Sequence, residues 1–226
     1  MIRIVRSATP AVLDPTPDPI HKTYANIQVR RALSDMQHGK CCYCERLVDM
    51  SELFPEDCDL EMTPHTERHI EHFRPKGRPE FTYLQNEWTN LLLACNTCNV
   101  NKGQKFDLFC IDPSDPDMDP EIHIALAPYN LGSTPPPDIG KLKPVNGSPQ
   151  GDWTIINIKL NVSTSRKKRT AKILSFVKAI VNYQLAPPAI RNGATLDFLK
   201  EQCLPQAEYS FVARALCRQY DIPFDQ

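Results

Sequence analysis

An α+β fold is what the sequence predicts: a small cysteine-stapled core, an N-terminal helix before it and a mainly helical C-terminal region after it. Three observations carry the prediction. Cys41 with Cys44 and Cys95 with Cys98 form two Cys-x-x-Cys pairs around one short acid–histidine segment, His69-Ile70-Glu71-His72. Apolar residues in the last third recur at helical spacing. Elsewhere the apolar runs are short, and the 226 residues hold 21 prolines against 8 glycines. The chain divides into an arm and helix (1–38), a stapled core (39–110), and a linker, short strands and helices (111–226), the last a candidate for binding a partner.

Residues 7–20 contain four prolines and read as an extended arm. Over 21–36, Tyr24, Ile27, Val29, Leu33 and Met36 recur at roughly helical spacing, and Gly39 suits a C-terminal cap. The first Cys-x-x-Cys forms a tight knuckle directly afterwards. The acidic stretch 49–67 reads as loop. Residues 68–73 predict a short strand ended by Pro75 and Gly77. Residues 86–93 lead into the second knuckle, and a short helix runs over 96–105. Asp-Pro steps at 112, 115 and 119 mark a turn-rich linker. Residues 121–126 and 153–160 are strand candidates, the second on the alternation of Thr154, Ile156, Ile158 and Leu160. A helix over 164–186 carries Ile173, Phe176, Val177, Ile180 and Val181 on one face, with Thr164 as N-cap. Two further helices are expected over 195–203 and 205–220, the latter with Pro205 at its first position and Phe211, Val212, Ala215 and Leu216 on one face. No internal repeat is present.

Hydrophobic residues make up 41% of the chain, so a packed core is expected. No apolar run is long enough to span a bilayer, and residues 1–6 do not read as a secretory signal. Nine cysteines, four at metal-binding spacing, favour a cytoplasmic metalloprotein over a disulfide framework. The net charge of −1 argues against a broadly basic nucleic-acid coat, though not against a local one.

Two Cys-x-x-Cys turns can place four thiolates tetrahedrally around structural zinc. Cys41, Cys44, Cys95 and Cys98 have that spacing; Cys42 with Cys44 does not. Cys58, Cys110, Cys203 and Cys217 read as buried thiols. Zinc binding here is expected to be part of the folding energy of 41–98.

The order Cys-x-x-Cys, Glu71-His72, Asn90, Cys-x-x-Cys, Asn99, Lys102-Gly103 resembles the HNH endonucleases over about residues 39–105. The resemblance implies a zinc-stapled ββα-metal core that hydrolyses nucleic-acid phosphodiester bonds. It implies His72 as general base, Glu71 and Asn99 as ligands of a catalytic Mg2+ or Mn2+, and Asn90 as the residue that holds the intervening loop and orients the base. The residue types suit that chemistry: an imidazole titrates near neutrality, and carboxylate and amide oxygens are hard donors. His69 is either a further ligand or a strand residue with a local hydrogen bond. Arg74, Lys76 and Lys102 are candidate phosphate contacts. Arg166, Lys167, Lys168 and Arg169 form a basic run that is a nucleic-acid contact, a partner contact or a solvated helix face. Two departures stand out. Asn99 occupies a position where the family name implies histidine, and adjacent residues of a regular strand point to opposite faces, so Glu71 and His72 share a site only where the strand ends or bends.

Further matches run to about residue 170. They include Met1 to Arg6, Cys44-Glu45, Ile70 to Lys76, Ile111-Asp112-Pro113, Pro120 to His123, and Thr154 to Asn161 with Arg166. These resemble the PtuB family, the HNH subunits of Septu-type and retron-linked anti-phage systems. That resemblance implies an ABC-type ATPase partner, PtuA, and a DNA or RNA target. The alternatives are a non-catalytic zinc-stapled interaction module and a stand-alone restriction-type HNH nuclease.

Overall fold

The computed structural model describes residues 1–13, 24–48, 69–129, 138–187, 191 and 193–224. Helix α1 spans Ile27–Met36. Asn26 caps its start, accepting the Gln28 N–H at 2.8 Å. At its end His38 and Gly39 take positive φ, and the Gly39 N–H reaches the Ser34 carbonyl at 2.7 Å. This reversal drops the chain straight into the first knuckle. Val29 and Leu33 are fully buried, and α1 packs on strand β2. The reading of 49–67 as loop, and Cys58 with it, falls outside the described residues.

Strand β1 (Ile70–His72) pairs antiparallel with β2 (Leu91–Leu93), with Glu71 opposite Leu92. The free edge of β2 is closed by a side chain. The Gln37 amide accepts the Leu93 N–H at 2.8 Å and donates to the Leu93 carbonyl at 2.8 Å. Helix α2 (Asn96–Lys102) follows the second knuckle and stops at Gly103, whose φ is positive. The N-terminal arm is stitched across this unit. The Arg6 guanidinium donates to the carbonyls of Trp88, Thr89 and Leu91 at 2.6, 2.7 and 3.0 Å.

Strands β3 (Ile124–Leu126) and β4 (Leu142–Pro144) form a second antiparallel pair. The strand expected over 153–160 is instead helix α3 (Pro149–Asn157). Ser148 caps it by accepting the Gly151 N–H at 3.2 Å, and Pro149 occupies its first turn. Thr154, Ile155 and Ile158 are buried while Ile156 faces solvent, which is helical and not alternating burial. Helix α4 runs Ser163–Leu185 with Val162, not Thr164, at the N-cap. Ile173, Phe176 and Ile180 are buried on it, with Val177 and Val181 half-buried. Helix α5 is Ala194–Cys203. Helix α6 is Ser210–Gln219, starting five residues beyond Pro205, after a turn in which Tyr209 has φ 54°. Helices α4, α5 and α6 pack together, and α6 also meets β3, so one continuous apolar core joins them to the stapled unit. Among the described residues no helix is long and apolar enough to cross a membrane.

Candidate metal centre and catalytic pocket

The four cysteine sulfurs at 41, 44, 95 and 98 are buried and lie within 4.8 Å of one another. A tetrahedron of sulfurs about 2.3 Å from a zinc ion has edges of about 3.8 Å. The Cys44 and Cys95 sulfurs are 3.8 Å apart. The residues present therefore fit a four-thiolate metal site in spacing, burial and donor type. Cys42 stands apart from this set, its amide donating to the Leu93 carbonyl at 2.9 Å. Cys203 and Cys217 form a separate thiol contact at 3.6 Å between α5 and α6.

Glu45, directly after the first knuckle, is 3% exposed. Its cations are the Met1 amine at 2.8 Å and Lys40 at 3.7 Å. Burial pushes the carboxyl up, but these two cations pull it down further, to about 2. The side chain is therefore an anion at neutral pH.

A cavity of about 350 Å³ is lined by Tyr24, Glu71, His72, Lys76, Asn99 and Gln104 among others. Because β1 ends at His72 and the chain then bends, Glu71 and His72 reach the same cavity despite being neighbours. His72 Nε2 lies 3.0 Å from the Gln85 carbonyl, which can only accept, so this nitrogen carries the proton. Nδ1 keeps a lone pair. The ring stacks edge-on against Tyr24, with centroids 4.6 Å apart. Burial, helped by Lys76 and Lys102 and opposed by the Gln85 bond, pushes the imidazole down to about 4, so it is neutral at pH 7.

Glu71 is 1% exposed, and its Oε1 meets the Lys102 ammonium at 2.5 Å and the Tyr43 hydroxyl at 3.4 Å. Burial pushes this carboxyl up to about 7 against the pull of Lys102 and Tyr43. Both of these contacts fall on Oε1. Asn99 also lines the cavity and donates through Nδ2 to the Ile70 carbonyl at 3.2 Å. A carboxylate and an amide side chain thus line the same cavity.

Asn90 is buried away from the cavity lining. It accepts the Arg74 N–H at 2.7 Å and donates to the carbonyls of Arg74 and Leu84 at 3.0 and 3.2 Å, closing the loop between the strands. His69 is buried with Nδ1 3.3 Å from the Ala94 carbonyl and does not line the cavity. Arg74 is exposed and Lys76 is half-buried over the Tyr24 ring, 4.2 Å from its centroid.

Two of the basic candidates lie inside the protein. Lys102 is fully buried, held by Glu71 and by the His72 carbonyl at 2.7 Å, because α2 packs its last turn against β1. Arg169 is buried too, donating to the carbonyls of Gly140 and Leu160 at 2.8 and 2.6 Å. Neither presents its charge to a surface phosphate. Lys167 and Lys168 are exposed and Arg166 half-buried. Lys168 borders the four-cysteine side of the molecule, in a separate cavity with Cys44, Arg46 and Cys95, and none of the run lines the Glu71–His72 cavity. The sequence reading missed Tyr24, Tyr43 and Gln85. Their roles depend on tertiary contacts, and only Tyr43, inside the first knuckle, stands in a motif.

No family model matches the chain. It is similar in part to two curated proteins named Septu protein PtuB. One, from Bacillus mycoides (strain KBAB4), is 28% identical over 138 residues, 47% of this chain and 42% of that protein. The other, from Bacillus thuringiensis, is 33% identical over 75 residues, 33% of this chain and 23% of that protein. The aligned regions thus span less than half the length of either relative.

Proposed function

We propose that this chain is a metal-dependent HNH-type endonuclease, the effector subunit of a Septu-type anti-phage complex controlled by an ABC-type ATPase, PtuA. The observation that carries the reading is one cavity lined by a neutral, oriented His72, the oxygen donors Glu71 and Asn99 and the cation Lys76, in a chain that also holds a four-cysteine cluster fit for a metal. The partial similarity to PtuB proteins supports the defence setting and the partner.

His72 is the general base. Its Nε2 proton is committed to Gln85, so Nδ1 takes the proton from the attacking water. A Mg2+ or Mn2+ held by Glu71 and Asn99 would neutralise charge on the phosphate and the departing oxygen. Lys76 and Arg74 contact the phosphate backbone. Asn90 keeps the 74–90 loop closed and thereby fixes the Gln85 carbonyl that orients His72. Glu71 serves two tasks, metal donor and counter-ion of Lys102. Lys167 and Lys168, on another face, contact substrate or partner.

The test is incubation of plasmid DNA or tRNA with the protein, alone and with the neighbouring ATPase, in Mg2+ or Mn2+. Cleavage abolished by EDTA and reduced about 10²- to 10⁴-fold in His72→Ala is expected. Undiminished cleavage by His72→Ala removes the mechanism. No cleavage with the cognate ATPase favours a non-catalytic zinc-stapled module, and full activity without a partner favours a stand-alone nuclease.

A further inference from the structure

The first knuckle is gripped from outside by the turn that opens α6. Lys40 and Glu45 flank Cys41 and Cys44 on either side, and both reach the same place. The Lys40 ammonium donates to the Ala207 carbonyl at 3.0 Å and to the Ser210 hydroxyl at 3.2 Å. Glu45 Oε2 accepts the Ser210 hydroxyl at 3.0 Å and the Phe211 N–H at 3.1 Å. The backbone joins in: the Tyr209 N–H donates to the Glu45 carbonyl at 3.3 Å, and the Leu47 N–H to the Glu208 carboxylate at 3.1 Å.

Helix α6 has no cap of its own. Tyr209 at its N-cap makes no side-chain cap bond and sits at positive φ. The cap is supplied from about 165 residues away by Glu45, an anion at the positive end of the helix. The same glutamate holds the knuckle in shape. It takes a positive φ of 60°, and its N–H donates to the Cys41 carbonyl at 3.0 Å, closing the turn that sets the two sulfurs. One residue thus completes both the metal-binding turn and the helix.

We infer that Glu45 and Ser210 form a latch between the four-cysteine site and the C-terminal helices, so that metal retention and docking of α6 are one coupled equilibrium. The inference rests on the reading of the four cysteines as a zinc site. Linkage requires reciprocity: whatever loosens α6 weakens metal binding, and withdrawing the metal loosens α6. The outward surface of α4 to α6 thereby has a mechanical route to the stapled core, with Glu45 as a positioning residue and not a ligand.

The experiment uses the full chain loaded with zinc. Wild-type metal content is measured first, then the rate of zinc transfer to excess chelator. Glu45→Gln and Ser210→Ala are expected to release zinc roughly 10- to 100-fold faster, the range for partners that orient metal ligands. Ile155→Ala, on α3 where that helix packs against β4 and not in the α4–α6 bundle, lowers the melting temperature while leaving the release rate at the wild-type value. This separates positioning from general destabilisation. Hydrogen exchange on the wild-type protein supplies a readout that needs no variant. Zinc withdrawal is expected to speed exchange over 211–219 ahead of 173–183. Equal release rates in folded Ser210→Ala and wild type, or α6 exchange indifferent to zinc, overturn the latch and leave the zinc site standing. A wild-type protein holding no zinc overturns both.

Discussion

Lys102 and Glu71 are both in the interior, and each makes the other tolerable there. An unpaired buried charge costs several kcal/mol, whereas this pair meets at 2.5 Å with Tyr43 and the His72 carbonyl satisfying further bonds. Lys102→Met keeps the volume and removes the ammonium, stranding a carboxyl whose pKa burial already holds at about 7. A loss of about 3–5 kcal/mol in chemical denaturation is expected, and adding Glu71→Gln should restore part of it. A Lys102→Met protein as stable as wild type contradicts the pairing. The sequence made only half of this legible. The interval from Asn99 to Lys102 shows that both lie on one side of α2. Which way that side faces depends on β1 packing across it, and no local pattern encodes that contact. The cysteines are the opposite case, since Cys-x-x-Cys spacing states its geometry within one turn.

At the scale of elements, α3 shows how two periodicities compete. Thr154, Ile156, Ile158 and Leu160 alternate, which reads as a strand, yet the burial that matters belongs to Thr154, Ile155 and Ile158. Ser148 and Pro149 are a helix-start signal upstream of the alternation, and they outweigh it. β4, at Leu142–Pro144, stayed invisible because three residues ending in proline carry no period. The helix also depends on one glycine. A Cβ on Gly151 would collide with the His123 carbonyl, and further backbone at Pro144 lies 3.2 Å from the same point. Neither obstacle is a side chain that can swing away, so Gly151→Ala must push α3 off the β3–β4 pair. A loss of about 1–3 kcal/mol is expected from overpacking, read as a lowered denaturation midpoint with an unchanged denaturant slope. If Gly151→Ala is neutral, α3 does not seat against His123 as described.

For the molecule as a whole, the −1 net charge limits how it can hold nucleic acid. Each phosphate neutralised on duplex DNA contributes about −0.9 to the slope of log affinity against log salt. Of seven basic candidates from the sequence, Lys102 and Arg169 are buried and internally bonded, which leaves Arg74, Lys76, Arg166, Lys167 and Lys168. If all five reach phosphates, the slope for the chain alone is no steeper than about −4.5, five contacts at about −0.9 each. Binding measured on the His72→Ala protein, the variant proposed to lack cleavage, between 50 and 200 mM salt should respect that bound. Lys76→Ala should flatten the slope by about 1. The five do not share one site: Lys76 lines the Glu71–His72 cavity, with Arg74 two positions before it in the chain, and Lys168 borders the four-cysteine side. A single duplex that engages only Arg74 and Lys76 would give about −2, and adding the proposed ATPase partner should steepen it. A slope steeper than the bound without a partner would place the basic footprint elsewhere, and the chain would then grip nucleic acid without help.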